Sequence, residues 1–194
     1  MENFINKFKE KSRHHRKFVN FLYPELKVIK DGNILEFGVS EKAMSTELLL
    51  EHTKNNNCKL FSIDINDYSK KFDSENWKFL HSRDDNFSYT FQNIPKSFKL
   101  ILLDTIHEAK HVRDIFYGYY DLLEVDHCFF IDDISWIPYL KGAEKDKFNA
   151  EINNLETFQI ILQIFLANRE NFSLEFNFDG TGMCKIKKKK MIKS

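Results

Sequence analysis

The sequence predicts an α/β domain: a doubly wound, mostly parallel sheet of seven strands with a C-terminal antiparallel hairpin. Three observations predict it. Two short apolar runs, Leu100 to Leu103 and Cys128 to Ile131, each end on carboxylates, Asp104 in the first and Asp132–Asp133 in the second. Unbroken runs of that length suit strands buried on both faces of a parallel sheet. Between them, Ile106 to Val125 carries Val112, Ile115, Phe116, Tyr119 and Leu122–Leu123 at helical spacing, which makes a strand–helix–strand crossover with both strands pointing the same way. Near the end of the chain Phe172, Leu174, Phe176 and Phe178 alternate with polar residues. The turn residues Asp179-Gly180-Thr181-Gly182 and a returning strand from Met183 to Ile186 follow.

Length and composition set the frame. At 194 residues the chain suits one domain, expected over residues 1–194, with a full core. Lysine plus arginine and aspartate plus glutamate both number 29, so no global field draws the protein to nucleic acid or to a membrane surface. Phenylalanine is abundant at 20, whereas glycine (6) and proline (3) are scarce, which argues against long disordered linkers. Three widely spaced cysteines, Cys58, Cys128 and Cys184, read as buried reduced thiols. With no signal peptide and no apolar run near the ~20 residues of a membrane span, a cytoplasmic location is expected.

In chain order, Asn3 to Leu22 places Phe4, Phe8, Phe18, Val19 and Leu22 on one helical side. Lys7, Lys9, Lys11, Arg13, Arg16 and Lys17 fill most of the rest. Residues 1–24 are therefore expected to form a cap helix with a solvated basic face. Asn33 to Ser40 is a strand that runs through Glu36 and Phe37 into a glycine turn at Gly38, and Ala43 to His52 follows as a helix. Strand, glycine turn and helix make the first half of a nucleoside- or dinucleotide-binding unit, in which Gly38 lets the backbone approach a ligand. Glu36 is expected to accept hydrogen bonds from that ligand. Ser40 and Lys42 stand where further glycines are often found.

Lys59 to Asp64 is a second strand ending on an acid, the position from which a carboxylate meets the two hydroxyls of a ribose. Trp77 to His81 is a third strand followed by Ser82-Arg83-Asp84-Asp85, where Asp84 and Asp85 stand either to cap the next helix or to meet a ligand. Trp136 to Ala150 reads as a loop over the carboxyl edge of the sheet, and Ala150 to Asn168 as a helix whose stretch from Phe158 to Leu166 is core. Lys187 to Lys190 and Lys193 read as a solvated basic tail, residues 187–194. The carboxyl ends of parallel strands share one edge, so Asp104, His107 and Asp132–Asp133 are expected to converge there.

This Rossmann-like order, with Glu36-Phe37-Gly38, Asp64 and the Asp104/Asp132–Asp133 constellation, resembles the class I S-adenosylmethionine-dependent methyltransferases over about residues 33–186. Within them it looks most like the small metal-dependent O-methyltransferases of the catechol and macrocin types. Those enzymes carry an acid at the end of the fourth strand, a basic residue three positions on and an acidic pair after the fifth; here these places hold Asp104, His107 and Asp132–Asp133.

The resemblance implies S-adenosylmethionine as cofactor, bound by Glu36, Gly38, Ser40, Asp64, Ile65, Ser82, Arg83 and Asp104. It implies Mg²⁺ or Mn²⁺ on Asp104, Asp132 and Asp133, since three clustered carboxylates need a cation among them. Catalysis would fall to His107 and Asp104, with the imidazole taking the proton of a small hydroxylated acceptor. The alternative is a non-catalytic relative of the fold that binds partners through the basic helix and the lysine tail. Nucleic acid is not an expected partner. Methyltransferases acting on its amines resemble one another in an Asn/Asp-Pro-Pro-aromatic turn, where this chain has Asp104-Thr105-Ile106-His107.

Overall fold

Alternation along the strands decides which side chains face which layer. The computed structural model describes residues 1–145 and 148–190. The strands are β1 (Asp31–Phe37), β2 (Asn57–Asp64), β3 (Trp77–His81), β4 (Phe98–Leu103), β5 (Leu123–Asp132), β6 (Phe172–Asn177) and β7 (Met183–Lys188). They lie in one sheet in the order β3-β2-β1-β4-β5-β7-β6. The first five are parallel; β7 runs antiparallel to both β5 and β6, as the closing hairpin predicts.

Odd and even positions feed separate cores. On one face Leu35, Phe37, Ile63, Ile101, Leu103, Phe129 and Ile131 pack under α6 (Ala109–Tyr119) and α8 (Ala150–Asn168), with Phe87 and Phe91 of α5 (Phe87–Asn93) beside them; α7 is a single turn, Ile137–Leu140, in the expected loop after β5. On the other, Ile34, Leu60, Leu100, Leu102 and Phe130 pack under α4 (Met44–Lys54) and the N-terminal segment. That segment is not the single helix its periodicity predicts. It comprises α1 (Glu2–Lys11), α2 (Arg13–Lys17), a π-turn at Phe18–Leu22 and α3 (Tyr23–Leu26). Ser12 breaks it: its backbone is extended, and its side chain accepts the His15 amide to restart the helix as an N-cap.

Three further expectations shift. The crossover helix stops at Tyr119 and β5 begins at Leu123, because Leu123 pairs with Phe98 ahead of a shift in register. The stretch from Phe158 to Leu166 is only partly core, since Ile161 and Ile164 are buried while Leu166 is exposed. Lys187 and Lys188 belong to β7 instead of a tail. Lys188 is buried, and its ammonium donates to the carbonyls of Tyr120 and Leu123. Residues 191–194 of the expected tail lie outside the described residues.

Strand order reverses between β1 and β4, and ligands of such sheets bind at the carboxyl ends beside that switch. The register there is direct. Phe37 faces Leu103 and Leu103 faces Ile131, which brings Asp104 alongside Asp132.

Candidate active site

The turn after β1 is held against two neighbours. The Gly38 amide donates to the Ile63 carbonyl (2.9 Å) and the Asp104 amide to the Phe37 carbonyl (2.9 Å). Gly38 has φ +90°, and a Cβ there would sit 1.9 Å from the Asp104 carbonyl oxygen, so no other residue fits. Ser40 also adopts the left-handed region, φ +59°. The Asp64 carboxylate ties the turn down by accepting the amides of Val39 (2.8 Å), Ser40 (3.3 Å) and Asn66 (2.8 Å).

These loops surround a cavity of about 390 Å³, within the range of small-molecule sites. Gly38, Ser40, Asp64, Ile65, Ser82, Arg83 and Asp104 all line it, with Tyr68 and Thr105 beside them. Glu36 does not. It is fully buried beneath α4, and its carboxylate accepts the hydroxyls of Ser45 (2.6 Å), Thr46 (3.0 Å) and Ser62 (2.7 Å). Burial pushes its pKa up to about 7 against those three hydrogen bonds. Glu36 therefore ties the start of α4 to β2 and does not line this cavity.

A second cavity, about 170 Å³, shares Thr105 and Ile106 with the first and adds His107, Asp133, Tyr139, Asn153 and Asn154. His107 Nε2 lies 3.6 Å from Asp104 Oδ1 and 3.5 Å from Asp133 Oδ2. All three side chains are partly open to solvent, at 21%, 31% and 26%. Asp133 has φ +54°, held by the hydrogen bond its amide donates to the Gly182 carbonyl (3.1 Å). Such a backbone persists where the surroundings over-determine it. Burial, with Asp132 and Asp133 nearby, raises the Asp104 carboxyl well above the ordinary range, although Lys17 opposes the shift. Asp133 moves the other way: burial would raise it, but His107 and Lys17 hold it low.

The cation among these acids comes from the chain itself. Lys17, at the end of α2, is fully buried instead of joining a solvated basic face. Its ammonium donates to Asp132 Oδ1, to Thr181 Oγ1 (3.2 Å) and to the Gly182 carbonyl (3.1 Å), and lies 3.6 Å from Asp133 Oδ1. Burial alone would favour the neutral amine, yet Asp132 and Asp133 hold its pKa above the ordinary lysine value. A helical wheel over residues 3–22 hides this, because the break at Ser12 and the π-turn change the phase on either side of Lys17.

Asp84 and Asp85 do not cap α5, whose N-cap is Asn86. Asp84 accepts Thr105 Oγ1 (2.6 Å) and pairs with His111 Nε2 (2.8 Å), while Arg83 grips Asp85. The hydrogen bond to Asp84 raises the His111 pKa. Among the described residues, Asp84, Asp85 and His111 form the one group of three carboxylate or imidazole side chains whose ligand atoms lie within 4.8 Å of one another. Their existing partners account for them. His111 carries no sequence signal of its own, since one turn into a helix a histidine reads as surface.

The sheet order, the switch-point cavity and the antiparallel β7 together define the fold of the class I S-adenosylmethionine-dependent methyltransferases. The solved structures it is similar to include the mycinamycin-pathway methyltransferase MycE in complex with Mg, SAH and mycinamycin VI (TM-score 0.70, 14% identity, 96% of this chain and 54% of MycE). They also include the SAH-bound Podospora anserina methyltransferase PaMTH1 (0.65, 13%, 97% and 87%). A third is the N-methyltransferase NodS from Bradyrhizobium japonicum (0.60, 13%, 94% and 99%). This chain spans about half the length of MycE. No protein-family model matches it, and no curated protein matches it. No helix among the described residues is long and apolar enough to cross a membrane.

Proposed function

We propose that this protein is an S-adenosylmethionine-dependent methyltransferase that methylates a hydroxyl of a small acceptor, with His107 as the base. One observation carries the reading: a cavity of nucleoside size and a smaller cavity holding His107 meet at Thr105 and Ile106. Structural neighbours with bound SAH, and MycE with a bound small molecule, support it.

The residues present fit the cofactor. The carboxylate of Asp64 offers about four acceptor sites, and three are used by backbone amides. One remains for a ribose hydroxyl. Gly38 leaves the turn without a side chain, and Ile65 and Tyr68 supply apolar surface for a base. S-adenosylmethionine, when bound, supplies a methyl group on a cationic sulfur that an oxygen nucleophile can attack. His107 takes the acceptor's proton at a ring nitrogen, and the carboxylate of Asp133 stabilises the imidazolium formed. The methyl-transfer geometry comes from alignment across the shared wall.

The divalent ion implied by the resemblance fits less well. Asp132 already accepts a buried ammonium, and the three expected ligands are not gathered around one point among the described residues. No step here depends on a metal.

Calorimetry with S-adenosylmethionine tests the reading. The parent should bind, and Asp64→Ala should bind about ten- to hundredfold more weakly, the loss of a charged hydrogen bond of about 1.5–3 kcal/mol. No binding by the parent would leave the non-catalytic alternative. His107→Gln should keep cofactor affinity and lose about 10²–10⁴-fold in turnover of a hydroxylated acceptor. Turnover at the parental rate would remove His107 from the chemistry, and a preference for an amine acceptor would remove the hydroxyl.

A further inference from the structure

We propose that Lys17 is a built-in counter-cation that occupies the divalent-metal position of this acceptor site, so that the acid cluster works without a metal. The site is built for an ammonium. Three N–H donors meet three acceptors from two stretches of chain, Asp132 Oδ1 at the end of β5 and Thr181 Oγ1 and the Gly182 carbonyl before β7. That satisfies Lys17 fully. A hard dication needs near-octahedral oxygen ligands at about 2.1 Å. Two of its expected ligands here are Asp132, bonded to the ammonium, and Asp133, 3.6 Å from it. A second, doubly charged cation on the same oxygens would face Lys17 inside the protein, where repulsion is poorly screened.

The lysine also supplies what a positioning group needs. The Gly182 carbonyl accepts from both Lys17 and the Asp133 amide, so the cation and the left-handed backbone of Asp133 are held by one atom. Asp133 then divides its two oxygens, Oδ1 towards Lys17 and Oδ2 towards His107. Lys17 thereby neutralises Asp132 and aims Asp133, while touching neither cavity. The role of the site rests on the methyltransferase reading; the occupancy of the cation position does not.

Mn²⁺ binding, followed by the paramagnetic resonance of the free ion, tests this. The parent should show no site at these acids at micromolar Mn²⁺. Lys17→Ala should gain one, at least tenfold tighter than anything in the parent, and its melting temperature should climb with added Mn²⁺ as mass action requires. Adding Asp132→Asn to that variant should abolish the gain, which excludes binding at Asp84, Asp85 and His111. The proposal is overturned if the parent binds Mn²⁺ and Asp132→Asn removes that binding, or if folded Lys17→Ala gains no site. Should Lys17→Ala fail to fold even with Mn²⁺, the parent and its Asp132→Asn variant decide on the same criterion. A parent that binds neither S-adenosylmethionine nor Mn²⁺ would lose the methyltransferase reading and keep the lysine in its place.

Discussion

Glu36 sits at a strand end where an acid should meet a ligand, yet it is sealed under α4 by three hydroxyls. Its folded-state pKa of about 7 lies above the ordinary 4.5, so the folded protein holds this proton more tightly than the unfolded chain does. Stability from this group is therefore fully present below about pH 4.5 and is lost as the pH rises through about 7. Glu36→Gln removes the titration. Denaturant melts at pH 5 and pH 8 should show the parent losing up to about 3 kcal/mol more than the variant across that window. Equal pH profiles would mean that Glu36 stays ionised in both states. The sequence shows the acid and its strand. Its burial depends on Ser45 and Thr46 turning inward from α4, a packing fact that spacing along one strand does not carry.

Among the elements, those with a clean period were the most legible. β3 and α8 run where the apolar pattern predicts them, and β2 and β4 begin only slightly earlier, because period two or 3.6 follows directly from which faces are buried. The N-terminal segment reads as one helix because Ser12 is an ordinary surface residue in a wheel and a breaker only when it caps. The turn after β1 shows the same gap on a smaller scale: the sequence has a serine where glycine is often found, and the backbone there is left-handed all the same. Ser40 is exposed, so Ser40→Gly should relieve that conformation with little lost packing. The relief of about 1–2 kcal/mol exceeds the added chain entropy of about 0.4–1 kcal/mol. Thermal melting should move up by about 1–4 °C. A fall would show that the serine side chain supports the turn.

In the whole molecule, convergence was legible and charge balance was not. Parallel strands end at one edge by construction, so Asp104, His107 and the Asp132–Asp133 pair could be brought together from their order alone. That three acids need a cation was also evident. Its source was not, since nothing local in a basic N-terminal stretch marks one lysine out of many. The partners of Lys17 lie 115 to 165 residues away along the chain. That separation has a consequence for how the protein is made. A nascent chain emerges from its N-terminus, and pairings of such long range form late. Until Gly182 has left the ribosome, Lys17 lacks two of its three acceptors and the acids have no settled counter-charge. Translation that stops short of Thr181 and Gly182 therefore yields a site at odds with itself instead of a weaker copy, and the turn that leads into β7 decides when the protein becomes competent.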